Sequence, residues 1–207
     1  MARKPPTKPR KNASQARSRA TVDALVEATA RILVREGFEK AGTNRIAEVA
    51  GVSVGSLYQY FPSKEALVAA VIDRHNREIM ALVRAALTEV ADMPIETAVR
   101  RLVTVAIEAH RIDPKLHRVL AEQIPRTGQL ADVEAFNREV HTLVRAYLES
   151  RRREMRKIDP ALATFICVSA IEAIAHNTVL NQAEMLSDKM VRTLVDEATR
   201  MVVGYLR

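Results

Sequence analysis

The chain has 207 residues, of which 48% are hydrophobic and 28% charged, with six Gly, eight Pro, no Trp, one Cys and a net charge of +7. That length suffices for one large or two small domains with proper cores, and a lone cysteine excludes an internal disulfide framework and fits a reducing cytoplasm. The most apolar run, Ala161 to Ile171, stops at Glu172, short of the roughly 18 residues a membrane span needs, and the basic N-terminus lacks the apolar stretch of a secretory signal.

The charge is unevenly placed. Arg3, Lys4, Lys8, Arg10, Lys11, Arg17 and Arg19 fall in the first twenty residues with no acid among them, and the other basic residues cancel the 25 acidic ones. Residues 1–17 are rich in Pro, Lys, Arg and Ser, lack apolar area to offset ordering, and are expected to be disordered when free. Two readings stay open for them: an arm that tracks phosphates or enters a minor groove, and a solubilising tail.

From Thr21 to Glu36, Val22, Leu25, Val26, Thr29, Ile32 and Leu33 recur at helical spacing, and Gly37 is placed as a C-terminal stop. The stretch Thr43 to Lys64, TNRIAEVAGVSVGSLYQYFPSK, then carries the most information. Thr43 suits an N-cap for a helix from Asn44 to Ala50, Gly51 ends it, Ser53 caps a second helix from Val54 to Phe61, and Pro62 stops that one. Two such helices joined by a turn containing Gly make a helix-turn-helix.

At about 100° per residue, Leu57 and Phe61 share one side and should meet Ile46, Val49 and Val52, leaving Gly55 and Gln59 outward, flanked by Ser56 and Tyr58. No acid occurs from Val52 to Lys64. That face suits a DNA groove: Gly55 permits close backbone approach, Gln59 can bond an adenine edge, and the hydroxyls of Ser53, Ser56 and Tyr58 can reach phosphates or bases. Thr43 and Lys64 lie at helix N-termini, which favour phosphate. An ordinary helical hairpin with a polar outer face satisfies the same spacing.

Ile46, Ala47, Ala50, Gly51, Val52, Ser53, Gly55, Leu57, Tyr58, Tyr60, Phe61, Lys64 and Leu67 fall as they do in the TetR family of transcriptional regulators, which the chain resembles from about Thr21 to Ile72. The resemblance implies an all-helical homodimer that binds a palindromic operator and is released when a small molecule enters the C-terminal domain. It also implies DNA contacts from Val54, Gly55, Ser56, Tyr58, Tyr60 and Lys64. Tyr60 departs from the His that many relatives carry, and its phenol keeps a phosphate donor.

Ser63 can cap a helix from Lys64 to about Thr88, long enough to join a DNA-binding domain at 18–63 to a regulatory and dimerisation domain at 64–207. Beyond it the pattern predicts helices from Ile95 to about Ile112, from Pro114 to before Pro125, from Leu130 to about Ile158, from Pro160 to about Leu180, and from Asp188 to Leu206 behind a Ser187 cap. The expected fold is all-α with about nine helices, and the last two, with stripes wide enough to bury on two sides, are the expected dimer interface.

On the helix from Pro160, Phe165, Ser169, Glu172 and His176 share a face, either as a hydrogen-bonded seam at the dimer or as the polar anchor of a ligand pocket. Met80, Val83, His110, Leu120, Gln123 and Tyr147 are further pocket candidates, each also explicable as core. The five histidines show no metal-ligand spacing, no Gly-x-Ser-x-Gly or phosphate-cradling loop is present, and neither cofactor, metal nor catalytic activity is expected. Arg151, Arg152, Arg153, Arg156 and Lys157 are either a second phosphate patch or solvated surface. The expected function is a ligand-responsive regulator, most simply a repressor; an activator or a sequence-indifferent architectural DNA binder is the alternative.

Overall fold

A computed structural model describes residues 16–122, 130–181 and 187–207. Among the described residues the regular structure is nine α-helices and one 3₁₀ turn: α1 (Ala16–Glu36), α2 (Thr43–Ala50), α3 (Val54–Tyr60), α4 (Lys64–Glu89), α5 (Ile95–Arg111), α6 (Pro114–Glu122), α7 (Leu130–Ser150), the turn Arg152–Glu154, α8 (Pro160–Asn181) and α9 (Asp188–Leu206). The all-α class expected from composition holds. Two compact units emerge, one of residues up to Asn76 with Lys115–Asp132, the other of Arg77–Pro114 with Val133–Arg207. The boundary read from sequence after residue 63 falls inside the first unit.

In that first unit, α1 contributes Leu25, Ile32 and Leu33, all at most 2% exposed, to a core shared with Ile46 and Ala47 of α2, Leu57 of α3 and Leu67, Val68 and Val71 of α4. Leu116 and Val119 of α6 join the same core, so a helix far along the chain braces the N-terminal helices. Helix α1 starts at Ala16, ahead of the expected Thr21, and alanine at positions 16 and 20 favours helix. Gly37, at φ 83°, closes it with an N–H donated to the Leu33 carbonyl at 3.1 Å.

The second unit packs α5 against both α8 and α9. Its core runs through Val99, Val103 and Ile107 of α5, Tyr147 and Leu148 of α7, Ala163, Cys167 and Ala175 of α8, and Val191, Val195, Ala198 and Val202 of α9. Part of helix α8 is uncovered in the single chain: Leu162, Phe165 and Ile166 are 51%, 59% and 37% exposed, as is Met201 of α9 at 46%. By length and composition Pro160–Leu180 is also apolar enough to cross a membrane, a longer run than the Ala161 to Ile171 stretch expected.

Helix α7 stops at Ser150, short of the expected Ile158. The Arg151 N–H is shared between the Tyr147 and Leu148 carbonyls, the Ser150 hydroxyl donates to the same Tyr147 carbonyl at 2.7 Å, and the chain tightens into a 3₁₀ turn. That turn aims Glu154 at α5, whose N-cap is Pro94 with no capping side chain, and the Glu154 carboxylate accepts from Ile95 N–H at 2.9 Å. A cap missing from the local sequence is supplied from 59 positions away.

Between α2 and α3 the backbone turns on Gly51, at φ 68° and ψ 30°, whose N–H and that of Val52 return to carbonyls of the last turn of α2. A side chain at Gly51 would meet no atom within 4 Å, so Gly51→Ala tests backbone conformation alone. We expect a loss of about 1–2 kcal/mol of unfolding free energy in urea titration; an unchanged midpoint would mean that the turn does not need the left-handed conformation.

Candidate nucleic-acid interface

The outward face of α3 is set by what the helix hides. Leu57 is fully buried, Phe61 is 1% exposed, Ile46 lies beneath them, and Val49 and Val52 pack at the edge of the same core, as the spacing requires. At seven residues the helix is too short to be stable by itself, so its orientation rests on this packing. Ser53 caps it: its hydroxyl oxygen accepts from the Ser56 N–H at 3.1 Å and lies 2.8 Å from the Ser56 hydroxyl.

Opposite the buried side, Ser53, Val54, Gly55, Tyr58 and Gln59 are exposed and Ser56 is half-buried. A Cβ added at Gly55 would meet only the Ser53 hydroxyl oxygen, at 3.9 Å, so nothing in the protein demands a glycine there. The empty volume faces outward. Chemically the surface offers amide, hydroxyl and exposed backbone groups with no carboxylate on α3, which suits the edge of a nucleic-acid groove.

Two sequence expectations shift. Thr43 is the first residue of α2 and not its cap; Gly42 holds that position without a side-chain bond, and the Thr43 hydroxyl instead lies 3.1 Å from the Tyr58 hydroxyl. Either oxygen can donate, and the contact ties the start of α2 to the exposed side of α3. Tyr60, expected on the DNA side, is only 8% exposed and belongs to the core of the first unit.

Lys64 is half-buried at the start of α4. Its ammonium donates to the Phe38 carbonyl at 3.2 Å and sits 3.9 Å from the centre of the Phe38 ring. An ammonium has three donors, so a phosphate can be added to these contacts. No local pattern pairs residues 26 positions apart, and by spacing alone Phe38 reads merely as cover for the core. Residues 1–15, the basic arm, lie outside the described residues.

The effector-side candidates scatter. In the second unit Met80 and Tyr147 are buried, Val83 is half-buried, and burial raises the Tyr147 phenol above its ordinary pKa despite the nearby Arg151. Phe165 stands on the exposed side of α8, its ring centroid 6.4 Å from that of His141 on α7, and Ser169 is half-buried. Leu120 packs in the first unit, and Gln123 lies outside the described residues.

His110 of α5 comes within electrostatic reach of both His176 and Glu172 of α8, the i,i+4 pair read from sequence. Its Nδ1 lies 2.8 Å from the Ala106 carbonyl, and burial is the main cause that lowers its pKa below 6.5, with the Ala106 contact and Glu172 opposing. Cys167, buried on α8, has its thiol pushed up to about 11 by desolvation, which leaves it inert as a nucleophile.

Residues 25–71 match the family model described as bacterial regulatory proteins, tetR family, and residues 94–206 that described as tetracyclin repressor-like, C-terminal domain. The chain is similar to the nucleoid occlusion factor SlmA of Haemophilus ducreyi, 32% identical over 85 residues, which is 41% of each chain. It is 35% identical over 92 residues, 44% of each chain, to an uncharacterized HTH-type transcriptional regulator of Mycobacterium tuberculosis. With the HTH-type transcriptional activator FasR of Mycolicibacterium smegmatis it shares 41% identity over 68 residues, 33% of this chain and 31% of that one. The chain thus spans less than half the length of the curated relatives it matches.

Among solved structures, the fatty acid degradation regulator FadR of Bacillus halodurans superposes with a TM-score of 0.72 at 19% identity, covering 90% of this chain and 96% of that one. PfmR of Thermus thermophilus gives 0.66 at 22% identity, covering 90% and 97%. These likenesses establish the fold. With family models covering both the helix-turn-helix and more than half of the chain beyond it, the chain belongs to the TetR family of transcriptional regulators, which are DNA-binding proteins and not enzymes.

Proposed function

We propose that this chain is a cytoplasmic, ligand-responsive repressor that binds a palindromic operator as a homodimer and leaves it when a small molecule enters the region 64–207. The observation that carries the reading is the outward set of Gly55, Tyr58 and Gln59 standing over buried Leu57 and Phe61. In this reading Thr43, Ser53, Val54, Ser56 and Lys64 add phosphate or base contacts, residues 1–17 follow the backbone as a basic arm, and Tyr60 supports the reading helix from behind.

Dimerisation through α8 and α9 fits the apolar side chains those helices leave uncovered, Leu162, Phe165, Ile166 and Met201. Helix α4 runs unbroken from Lys64 to Glu89, through the last residue of one unit and the first of the next, and is the mechanical link by which an effector alters the reading helices. His110, Glu172 and His176 are the polar groups that would anchor the effector. A second reading, activation or architectural binding, draws on the names of two relatives, a transcriptional activator and a nucleoid occlusion factor.

Selection from random duplexes with the pure protein separates these. A two-fold symmetric consensus is expected; a flat profile would favour the architectural reading and discard the operator. Gln59→Ala should relax base preference at one position of each half-site by about 1–3 kcal/mol, whereas Lys64→Ala should weaken all sequences alike.

Removing residues 2–16 should reduce the slope of log affinity against log salt, by about 0.9 for each phosphate that the arm neutralises. An unchanged slope would assign those residues to a solubilising tail.

The depressed pKa of His110 has a defined consequence for stability. The unfolded chain binds this proton more tightly, so the contribution of neutral His110 is complete above pH 6.5 and is lost as the pH falls below it. His110→Gln should therefore flatten the decline in melting temperature between about pH 7.5 and about pH 5.5. Parallel curves for the two proteins would show that the imidazole is solvated.

A further inference from the structure

Two histidines of the first unit, 42 positions apart in the chain, meet across α4 and α6. His75 is 7% exposed on α4, in the turn after the buried Val71 and Ile72, and His117 is half-buried on α6 between the core residues Leu116 and Val119. His117 Nδ1 stands 3.5 Å from His75 Nε2, with the ring centroids 5.8 Å apart and the planes at 50°. The DNA-reading geometry does not use this pair.

The separation discriminates between two roles. A nitrogen donor in a good hydrogen bond lies about 2.7–3.2 Å from its acceptor, and 3.5 Å is at the weak limit. Two imidazole nitrogens on a tetrahedral metal, each about 2.0–2.1 Å from it, are about 3.4 Å apart. The observed spacing and the tilt between the rings therefore match an edge of a coordination polyhedron more closely than they match a strong imidazole–imidazole bond.

We propose that His75 Nε2 and His117 Nδ1 bind a divalent transition-metal ion that pins α6 to α4 within the unit that carries the reading helices. Imidazole pairs suit zinc, cobalt and nickel, water fills the remaining positions, and half-buried His117 gives the ion its route from solvent. Sequence spacing conceals the site because the ligands come from two helices joined only through the fold. The inference stands apart from the repressor reading, since a metal at these two nitrogens requires neither operator nor effector.

The test uses the full chain, stripped with a chelator and dialysed. Co²⁺ titration should give one equivalent per chain with the visible absorption of nitrogen-ligated cobalt, and Zn²⁺ in excess should raise the melting temperature of the parent protein. His75→Gln and His117→Gln should each abolish both effects, while His141→Gln, a change on α7, should retain them. Circular dichroism without metal verifies folding, and if the buried His75 variant fails to fold, the hyperfine-shifted imidazole resonances of the cobalt-loaded parent protein decide, since the proposal requires those of His75 among them. No saturable cobalt uptake by the parent, or parental uptake by His117→Gln, overturns the proposal and leaves the pair as a plain hydrogen bond.

Discussion

The structure depends on the burial of Leu57 and Phe61 against Ile46. Each such side chain contributes about 1.5–3 kcal/mol when removed from water, and a helix of two turns has no comparable source of order within itself. Packing rather than propensity thus decides where α3 points. Once those two side chains are fixed, the 100° step of the helix leaves little freedom for Gly55 and Gln59.

The same burial explains what the sequence can and cannot disclose. The core of the first unit is legible because Leu57 and Phe61 stand four residues apart on one side, opposite Ile46 of the preceding helix, and because Gly51, Ser53 and Pro62 punctuate the chain unambiguously. Tyr60 is not: an amphipathic side chain at the margin of a short helix can face either way, and here the neighbouring core claims its ring. Thr43 has the local signature of a cap because capping is judged locally, whereas its hydroxyl meets Tyr58, 15 residues away.

The second unit is less transparent for a related reason. The early end of α7 brings Glu154 to the start of α5, a contact between distant segments that no window of sequence contains. The apolar surround of α8 announces burial without saying by what, and within one chain only part of it is covered. Likewise α6, by chain order a piece of the C-terminal region, places Leu116 and Val119 in the N-terminal core, so the compact units do not follow chain order.

The open space beside Gly55 separates two kinds of selection that usually act together. Since a methyl group there would touch nothing closer than the Ser53 hydroxyl at 3.9 Å, and alanine is the better helix former, the folded state is indifferent to it or even gains. Any pressure that keeps this position bare must originate outside the polypeptide, from whatever surface is pressed against α3. A collection of variants sorted for solubility would welcome a side chain at that place; one sorted for occupancy of a duplex would discard it.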